Sequence, residues 1–188
     1  MENKEMYAEC YERGETVEER FMSALEKHIK SLGITEFEIY RAPLQDNMYK
    51  HIDVYLKIND KTFSFDVKAL KKINRYDNKY SYDYTWFEFK NVWGNKGWGY
   101  GEQTHFAFQT ENGFSLVKRK SLAKLAEENC NSIQPVLMPK NTKDRKPYVR
   151  YTRNDYECKT GVKAKDSVCL IPFEDIRNIE EKFIQYET

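Results

Sequence analysis

Two aspartates and a lysine in the first third of the chain have the types and spacing that metal-assisted chemistry uses. They lie in two segments, 51–58 (HIDVYLKI) and 61–68 (KTFSFDVK), in which apolar and polar side chains alternate as in half-buried strands. The intervening Asn59-Asp60 fits a two-residue turn, although Asn-Gly would be a stronger signal. The sequence therefore predicts a β-hairpin over residues 51–68.

This turn determines which residues face each other, because the numbers of opposed positions then sum to 119. One face of the predicted hairpin carries only apolar pairs: Ile52–Val67, Val54–Phe65 and Leu56–Phe63. The other face carries polar pairs: His51–Lys68, Asp53–Asp66, Tyr55–Ser64 and Lys57–Thr62. A slip of one residue would mix the two faces, so the pattern favours this register alone.

Directly opposed carboxylates destabilise a sheet when their Cβ atoms lie ~4.5–5.5 Å apart. A divalent cation held by Asp53 and Asp66 would offset this repulsion, since Mg²⁺ binds one or two carboxylates together with waters and substrate phosphate. Lys68 follows Asp66 by two positions and so shares its face, where an ammonium could reach a metal-bound water or a scissile phosphate. The alternative is a solvent-exposed face whose charges Lys68 partly neutralises.

The run HIDVYLKINDKTFSFDVKA, residues 51–69, resembles the core of the PD-(D/E)XK nuclease superfamily. The resemblance assigns the family's two metal-binding acids to Asp53 and Asp66 and its catalytic lysine to Lys68, with the Val67 carbonyl as a further metal ligand. It implies a restriction-endonuclease-like α/β core, Mg²⁺ or Mn²⁺ as cofactor, and hydrolysis of phosphodiester bonds in DNA. Ile52 stands where the motif has its proline, a departure common in this family.

The motif is short, and the chain contains seven acid-x-Lys triplets, so the triplet alone is not specific. The strand context and the upstream acid distinguish the one that begins at Asp66. Members of the family often take a further acid from the preceding helix. On a helical wheel Glu18 lies at the edge of the predicted apolar stripe, so it is the expected accessory ligand, and the alternative is a plain boundary glutamate.

A second segment, TWFEFKNVWGNKGWGYGEQTHFAF at 85–108, is similar to a stretch found in phage and prophage members of the same superfamily. Its strand contains Glu88, which is either an accessory ligand or a structural residue. The glycine- and tryptophan-rich loop that follows could approach DNA closely, or it could be a tight loop whose rings cover the core. The resemblance implies a phage or prophage origin.

Charge is segregated along the chain although the net charge is only +1. Residues 1–19 carry seven acids and two bases, whereas residues 139–153 carry six bases and one acid. A basic stretch that contains tyrosines is what phosphate contacts and base stacking require. The expected nucleic-acid-binding residues are Lys140, Lys143, Arg145, Lys146, Arg150 and Arg153, with Lys71 and Lys72 after the hairpin. The alternative is a solvated loop.

Composition limits the classes of protein to be considered. The 188 residues include 14 Tyr, 11 Phe and 3 Trp, enough ring area to build a core, and the length suits one domain over 1–188. No apolar run approaches the ~18–20 residues of a membrane span, and the N-terminal residues have no apolar signal region. We therefore expect a soluble cytoplasmic protein without a membrane partner, in the bacterial host cytoplasm if phage encoded. The four cysteines have no zinc spacing and are expected to be reduced, packed thiols.

The surrounding elements follow from periodicity. A helix is predicted from a capping box, Thr16 and Glu19, to Gly33, with an apolar stripe that includes Phe21, Leu25 and Ile29. Further strands are predicted at 36–41, 84–90, 105–110, 113–117 and 167–171, and helices at 119–129 and 174–186. This order predicts an α/β fold with a mixed sheet flanked by helices.

The leading hypothesis is a metal-dependent deoxyribonuclease. One alternative is a nuclease-fold protein that no longer cleaves, acting as a nucleic-acid-binding protein or as a phage inhibitor of a host defence complex. A branched-DNA resolvase is a further alternative and would require a symmetric homodimer.

Overall fold

The computed structural model describes the backbone of most of the chain, and its side chains from residue 16 onward except in 156–157 and 163–164. The described residues are 2–70, 81–130, 134–152, 156–157, 163–164 and 166–186. The helices are α1 (Glu2–Ser31), α2 (Leu44–Lys50), α3 (Arg119–Asn129) and α4 (Phe173–Asn178). The strands are β1 (Phe37–Arg41), β2 (Val54–Ile58), β3 (Lys61–Lys68), β4 (Tyr84–Lys90), β5 (His105–Gln109), β6 (Gly113–Lys118), β7 (Val136–Leu137), β8 (Tyr151–Thr152), β9 (Tyr156–Glu157), β10 (Lys163–Ala164), β11 (Ser167–Pro172) and β12 (Lys182–Gln185).

These elements form two compact units. The first consists of Met1–Leu70, Glu102–Lys118 and Glu180–Thr188, and the second of Lys71–Gly101 and Arg119–Ile179. Both units contain helices and strands, and the largest sheet is mixed, so the predicted α/β class with a mixed sheet is confirmed.

The first unit is built on a six-stranded sheet in the order β1-β2-β3-β5-β6-β12. Strands β3 and β5 run parallel, and the other neighbouring strands are antiparallel. Helix α1 packs its apolar stripe against this sheet, and the ring of Phe21 lies 5.1 Å from that of Phe65 and 5.0 Å from that of Phe114. The core of the unit therefore lies between α1 and one face of the sheet.

The predicted stripe of α1 is confirmed, since Phe21, Leu25 and Ile29 are all buried, and the helix ends before Gly33, whose φ is +76°. The predicted capping box is wrong. Thr16 and Glu19 lie inside α1 because the helix begins at Glu2. Residues 2–15 contain five Glu, which favour a helix and extend it past the predicted start.

The predicted register of the hairpin is confirmed from Val54↔Phe65 to Ile58↔Lys61. Val54, Leu56 and Phe65 are buried beneath α1, as the alternation requires. The start of the first strand is wrong, however. Helix α2 comes before it and ends in His51, whose φ is 57°, so β2 begins at Val54 and the predicted strand pairs of residues 51–53 are not formed.

The predicted C-terminal helix is also wrong. Helix α4 ends at Asn178, and β12 then pairs with β6 at the edge of the first unit's sheet. Ile184 is 1% exposed whereas Phe183 is 40% exposed, which is the alternation of a strand.

The second unit contains a four-stranded sheet in the order β4-β11-β8-β7 and a two-stranded sheet of β9 and β10. In the central pair, Phe87 of β4 lies opposite Cys169 of β11, and both are fully buried. The loop after β4 closes over Phe87: the ring of Trp98 lies 5.5 Å from it, and a Cβ at Gly99 would come within 2.2 Å of it. Trp98 therefore covers the core, as one of the two interpretations of this loop expected.

Candidate metal and active site

Strand β3 brings Asp66 and Lys68 onto one face of the sheet, where their side chains meet. The Nζ of Lys68 lies 2.6 Å from Oδ1 of Asp66. Both side chains are largely shielded from solvent, with 3% of the Asp66 and 15% of the Lys68 side chain exposed. An ion pair this short and this buried fixes the position of both groups.

Asp53 joins this pair through the irregular end of the hairpin. Its N–H donates to Phe65 O at 2.8 Å, and its Oδ2 accepts the N–H of Val67 at 2.7 Å, in place of a further ladder bond. The Nδ2 of Asn47, on α2, donates to Oδ1 at 2.5 Å. The carboxylate of Asp53 is therefore oriented by one donor on β3 and one on α2.

The pKa of Asp53 is raised from its usual value to about 7. Burial is the largest cause, and the negative charge of Asp66 is the next, whereas Lys68 and the Val67 N–H act in the opposite direction. In the part of the chain that the structure describes, no donor reaches the buried Oδ2 of Asp66. Two carboxylates thus share one largely shielded lysine.

The orphaned Oδ2 of Asp66 tests whether a divalent cation fits here. A buried carboxylate oxygen without a partner is costly, and a cation or a shared proton would remove that cost. No cluster of three or more His, Cys, Asp or Glu suited to a metal occurs within the described part of the chain. The donor set is therefore two carboxylates plus backbone, water or substrate oxygens, which is a set that Mg²⁺ accepts.

The sequence analysis did not predict α2, which carries the Asn47 donor to Asp53. Asp46 accepts from the Tyr55 hydroxyl at 2.8 Å and pairs with Lys50 at 2.7 Å, and the Tyr55 ring stacks on Tyr40 at 5.4 Å. These contacts fasten α2 to β2 and so position Asn47. The seven-residue helix has no buried residue and hence no apolar stripe, so the Asp46–Lys50 spacing at i, i+4 was its available signal.

The expected accessory ligands have other contacts in the structure. Glu18 pairs with Arg41 of β1 at 3.5 Å, and Glu19 accepts from the same guanidinium at 3.3 Å. Val67 contributes its N–H to the site through Asp53. Glu88 lies in the second unit, where its Oε2 accepts the N–H of Trp98 at 3.3 Å. The roles of Glu18, Glu88 and the Val67 carbonyl as ligands stay predictions.

The basic residues expected to bind nucleic acid differ in their surroundings. Lys140, Lys143 and Lys146 are exposed. The Nε of Arg145 donates to Pro139 O at 3.1 Å, and the guanidinium of Arg150 lies 3.8 Å from the centre of the Phe89 ring. The remaining expected residues, Lys71, Lys72 and Arg153, lie outside the described residues.

Comparison of the chain with known protein families, with curated proteins and with solved structures finds no match. None of the described helices has the length and apolarity that crossing a membrane would require.

Proposed function

We propose that the protein is a metal-dependent nuclease of the PD-(D/E)XK type that hydrolyses phosphodiester bonds in DNA. The observation that carries the proposal is that none of the described residues donates to the buried Oδ2 of Asp66, although a second carboxylate, Asp53, and the ammonium of Lys68 lie beside it. A structural ion pair would need only one carboxylate for one lysine. A second carboxylate with an unsatisfied oxygen favours a cation-binding site.

The residues would divide the work as follows. Asp53 and Asp66 would hold Mg²⁺ or Mn²⁺, with the Val67 carbonyl and Glu18 as further candidate ligands. The bound metal would lower the pKa of a water and offset charge on the phosphate. The ammonium of Lys68, beside Asp66, would orient that water and offset negative charge on a phosphate oxygen. Asn47 and the Val67 N–H keep the Asp53 carboxylate in place.

The basic segment, defined as residues 139–153 of the sequence, would bind the substrate. Its exposed lysines, Lys140, Lys143 and Lys146, suit contacts to DNA phosphates, which position a duplex without reading its sequence. The proposal includes action in the cytoplasm, in a bacterial host if the chain is phage encoded, and a homodimer if the substrate is branched DNA.

A second candidate function is favoured because most carboxylate oxygens of the same site already have protein partners. Both oxygens of Asp53 accept protein donors, and Oδ1 of Asp66 is taken by Lys68. A nuclease-fold protein that binds nucleic acid or inhibits a host defence complex without cleaving would tolerate these contacts, since it needs no open ligand position.

The two candidates are separated by a cleavage assay on supercoiled plasmid, linear duplex and a four-way junction, each with Mg²⁺, Mn²⁺ or EDTA. The wild type is compared with Asp66→Asn and Lys68→Ala, and with Asp60→Asn, which removes an exposed acid from the turn of the same hairpin. A nuclease cuts with metal only, loses at least ~10²-fold in rate in both site variants, and retains its rate in Asp60→Asn. Tight DNA binding without cleavage by any folded variant would instead support the second candidate.

A further inference from the structure

Tyr148, in the basic segment, has a backbone conformation that aromatic residues seldom adopt. Its φ is 58°, in the left-handed region, which glycine and asparagine adopt much more readily. An unfavourable conformation of this kind persists where the surrounding contacts impose it, and such residues concentrate at functional sites. The contacts that Tyr148 makes must therefore offset the cost of its conformation.

The left-handed residue lies where the chain reverses its direction beside β11. Pro147 forms a parallel bridge with Leu170, whereas Tyr151 pairs with Val168 in the antiparallel sense. Between these two contacts the N–H of Tyr148 donates to the carbonyl of Leu170 at 3.0 Å. Tyr148 is therefore the turn residue of the basic segment, and the path of the segment along β11 depends on it.

Two tyrosine hydroxyls fasten this turn to the rest of the second unit. The hydroxyl of Tyr148 donates to Oδ2 of Asp175, on α4, at 2.6 Å in a partly buried position. The N–H of Lys146 donates to the hydroxyl of Tyr151 at 2.8 Å, and Tyr151 itself is buried. A glycine at position 148 would turn the chain without strain, but it could not form the contact with Asp175.

The turn residue lies between two basic residues of the segment. Lys146, two positions before Tyr148, is exposed. Arg150, two positions after it, has its guanidinium 3.8 Å from the centre of the Phe89 ring, which is a cation–π contact. Binding is weakened by the cost of ordering mobile groups, so a backbone that is already in place increases the affinity of the side chains that it carries.

We propose that Tyr148 is a positioning residue for DNA binding: its left-handed turn and its hydrogen bond to Asp175 hold the basic segment in the arrangement that contacts DNA phosphates. This inference rests on the proposed function, which assigns DNA binding to the basic segment. Tyr148 acts through Lys146 and Arg150 and needs no contact of its own with DNA. Asp175 then supports binding as the acceptor of the hydroxyl, although an acid beside a DNA-binding surface repels phosphate.

Positioning differs in its measurable consequences from two other roles that Tyr148 could have. A contact that adds only stability changes the unfolding free energy and leaves the DNA affinity of the folded protein unchanged. A direct contact with phosphate changes the slope of log affinity against log salt, by about 0.9 for each phosphate. A positioning residue instead changes the affinity by the same factor at every salt concentration, because the number of phosphate contacts in the complex stays the same.

The test measures the affinity of the full chain for a short fluorescent DNA duplex over a series of salt concentrations, in EDTA so that no cleavage competes. Tyr148→Phe is expected to bind about tenfold more weakly at every salt concentration, with the slope unchanged. The matched control is Tyr100→Phe, which removes a hydroxyl of the same unit that donates to Glu127 at 2.7 Å, outside the basic segment. This control should bind as the wild type does.

Substitution of Asp175 separates positioning from charge. Asp175→Ala removes a negative charge, so electrostatics alone would strengthen DNA binding, whereas the loss of the acceptor for Tyr148 is expected to weaken it. Asp175→Asn also removes the charge but keeps an acceptor oxygen, and it should bind at least as tightly as the wild type. Asp175→Ala combined with Tyr148→Phe should bind about as weakly as either single variant, because both remove the same hydrogen bond.

Amide hydrogen exchange of the free protein tests the same positioning without DNA. The N–H groups of Lys146 and Tyr148 are bonded to the Tyr151 hydroxyl and to Leu170, and Tyr148→Phe is expected to speed their exchange severalfold. Unchanged exchange would show that the hydroxyl does not hold the turn and would overturn the proposal.

The binding results separate this inference from the proposed function. Equal affinities of wild type and Tyr148→Phe, or tighter binding by Asp175→Ala, would overturn the positioning role while DNA binding by the basic segment stands. Failure of the wild type to bind duplex DNA would overturn both.

Discussion

At the scale of single residues, the cluster of Asp53, Asp66 and Lys68 is unbalanced in charge, because it contains two carboxylates and one ammonium. Lys68 compensates Asp66 at 2.6 Å, and Asp53 is left with neutral donors from Asn47 and the Val67 backbone. Such an imbalance costs stability, since buried charges are stabilised chiefly by opposite charges and by hydrogen bonds to the charged form. A protein that retains it gains something from the site other than stability, and a cation-dependent reaction is the gain that we propose.

This imbalance gives the unfolding free energy a dependence on pH. The pKa of Asp53 is raised from 3.8 to about 7 in the folded state, so between pH 4 and 7 the folded chain binds more protons than the unfolded chain. The contribution of Asp53 to the unfolding free energy therefore falls as the pH rises from 4 to 7, and it does not change further above pH 7. A shift of about three pKa units corresponds to a change in the unfolding free energy of at most on the order of 4 kcal/mol.

Chemical denaturation of the wild type and Asp53→Asn between pH 4 and 8, without divalent ions, measures this contribution. The variant is expected to gain stability relative to the wild type as pH rises, by a few kcal/mol in total. The difference between the curves is the relevant quantity, because the amide changes the hydrogen bonds equally at every pH. Asp60→Asn serves as the control for a general charge effect, and two parallel curves for wild type and Asp53→Asn would contradict the raised pKa.

At the scale of elements, α2 supplies one of the two donors that orient the Asp53 carboxylate, and β3 supplies the other. Helix α2 has no buried residue and is fastened through Asp46 to Tyr55 of β2. A short helix held by polar contacts to a strand can position one side chain, Asn47, without contributing to the core. Partners of this kind around metal ligands typically affect metal affinity by 10–100-fold when removed.

We therefore expect Asn47→Ala to weaken Mn²⁺ binding by about 10–100-fold, measured by isothermal titration of the folded protein. Gln45→Ala, an exposed position on the same helix, should bind Mn²⁺ as the wild type does. Equal affinities of Asn47→Ala and wild type, with both folded, would show that Asn47 does not position a metal ligand. Absence of Mn²⁺ binding by the wild type would instead count against the metal site itself.

The sequence could predict elements whose side-chain pattern is local. The register of β2 and β3 followed from alternation around Asn59-Asp60, and the core face of α1 followed from its apolar stripe. It could not predict α2, which has no apolar face. Nor could it place β12: Ile176, Ile179 and Phe183 fit a helical stripe, and the choice of strand depends on pairing with β6, which is distant in sequence. The pairing of the hairpin that carries Asp66 and Lys68 could therefore be predicted from the sequence, whereas the contacts that α2 makes with Asp53 could not.

Substitutions in the edge strand β12 test directly whether residues 182–185 form a strand and not the end of a helix. Ile184 is 1% exposed, and Ile184→Ala should lower the unfolding free energy by about 2–5 kcal/mol in urea denaturation. Phe183 is 40% exposed, and Phe183→Ala should cost less than about 1 kcal/mol. A helix over 174–186 would place Phe183 on the buried stripe, so the opposite ranking of the two costs would favour the helix.

At the scale of the whole molecule, the proposed tasks fall to different units. The acidic site belongs to the first unit, and the exposed lysines of the basic segment belong to the second. The net charge of +1 does not reveal this division, because an acid-rich segment at 1–19 and a base-rich segment at 139–153 nearly cancel each other. Binding of DNA and binding of metal should consequently be separable by substitution.

The separation is tested by Lys140→Ala, Lys143→Ala and Lys146→Ala combined in one variant. Each lysine that contacts a phosphate adds about 0.9 to the slope of log affinity against log salt, so the triple variant should bind duplex DNA more weakly and lower the slope by up to about three. A control variant replaces three exposed lysines of the first unit, Lys27, Lys30 and Lys61, and so removes the same charge. Thermal stabilisation by Mn²⁺ should be unchanged in the basic-segment variant, because the ligands lie in the other unit. Equal salt slopes in the two triple variants would show that the basic segment acts through net charge alone, and would remove it from the proposed DNA-binding surface.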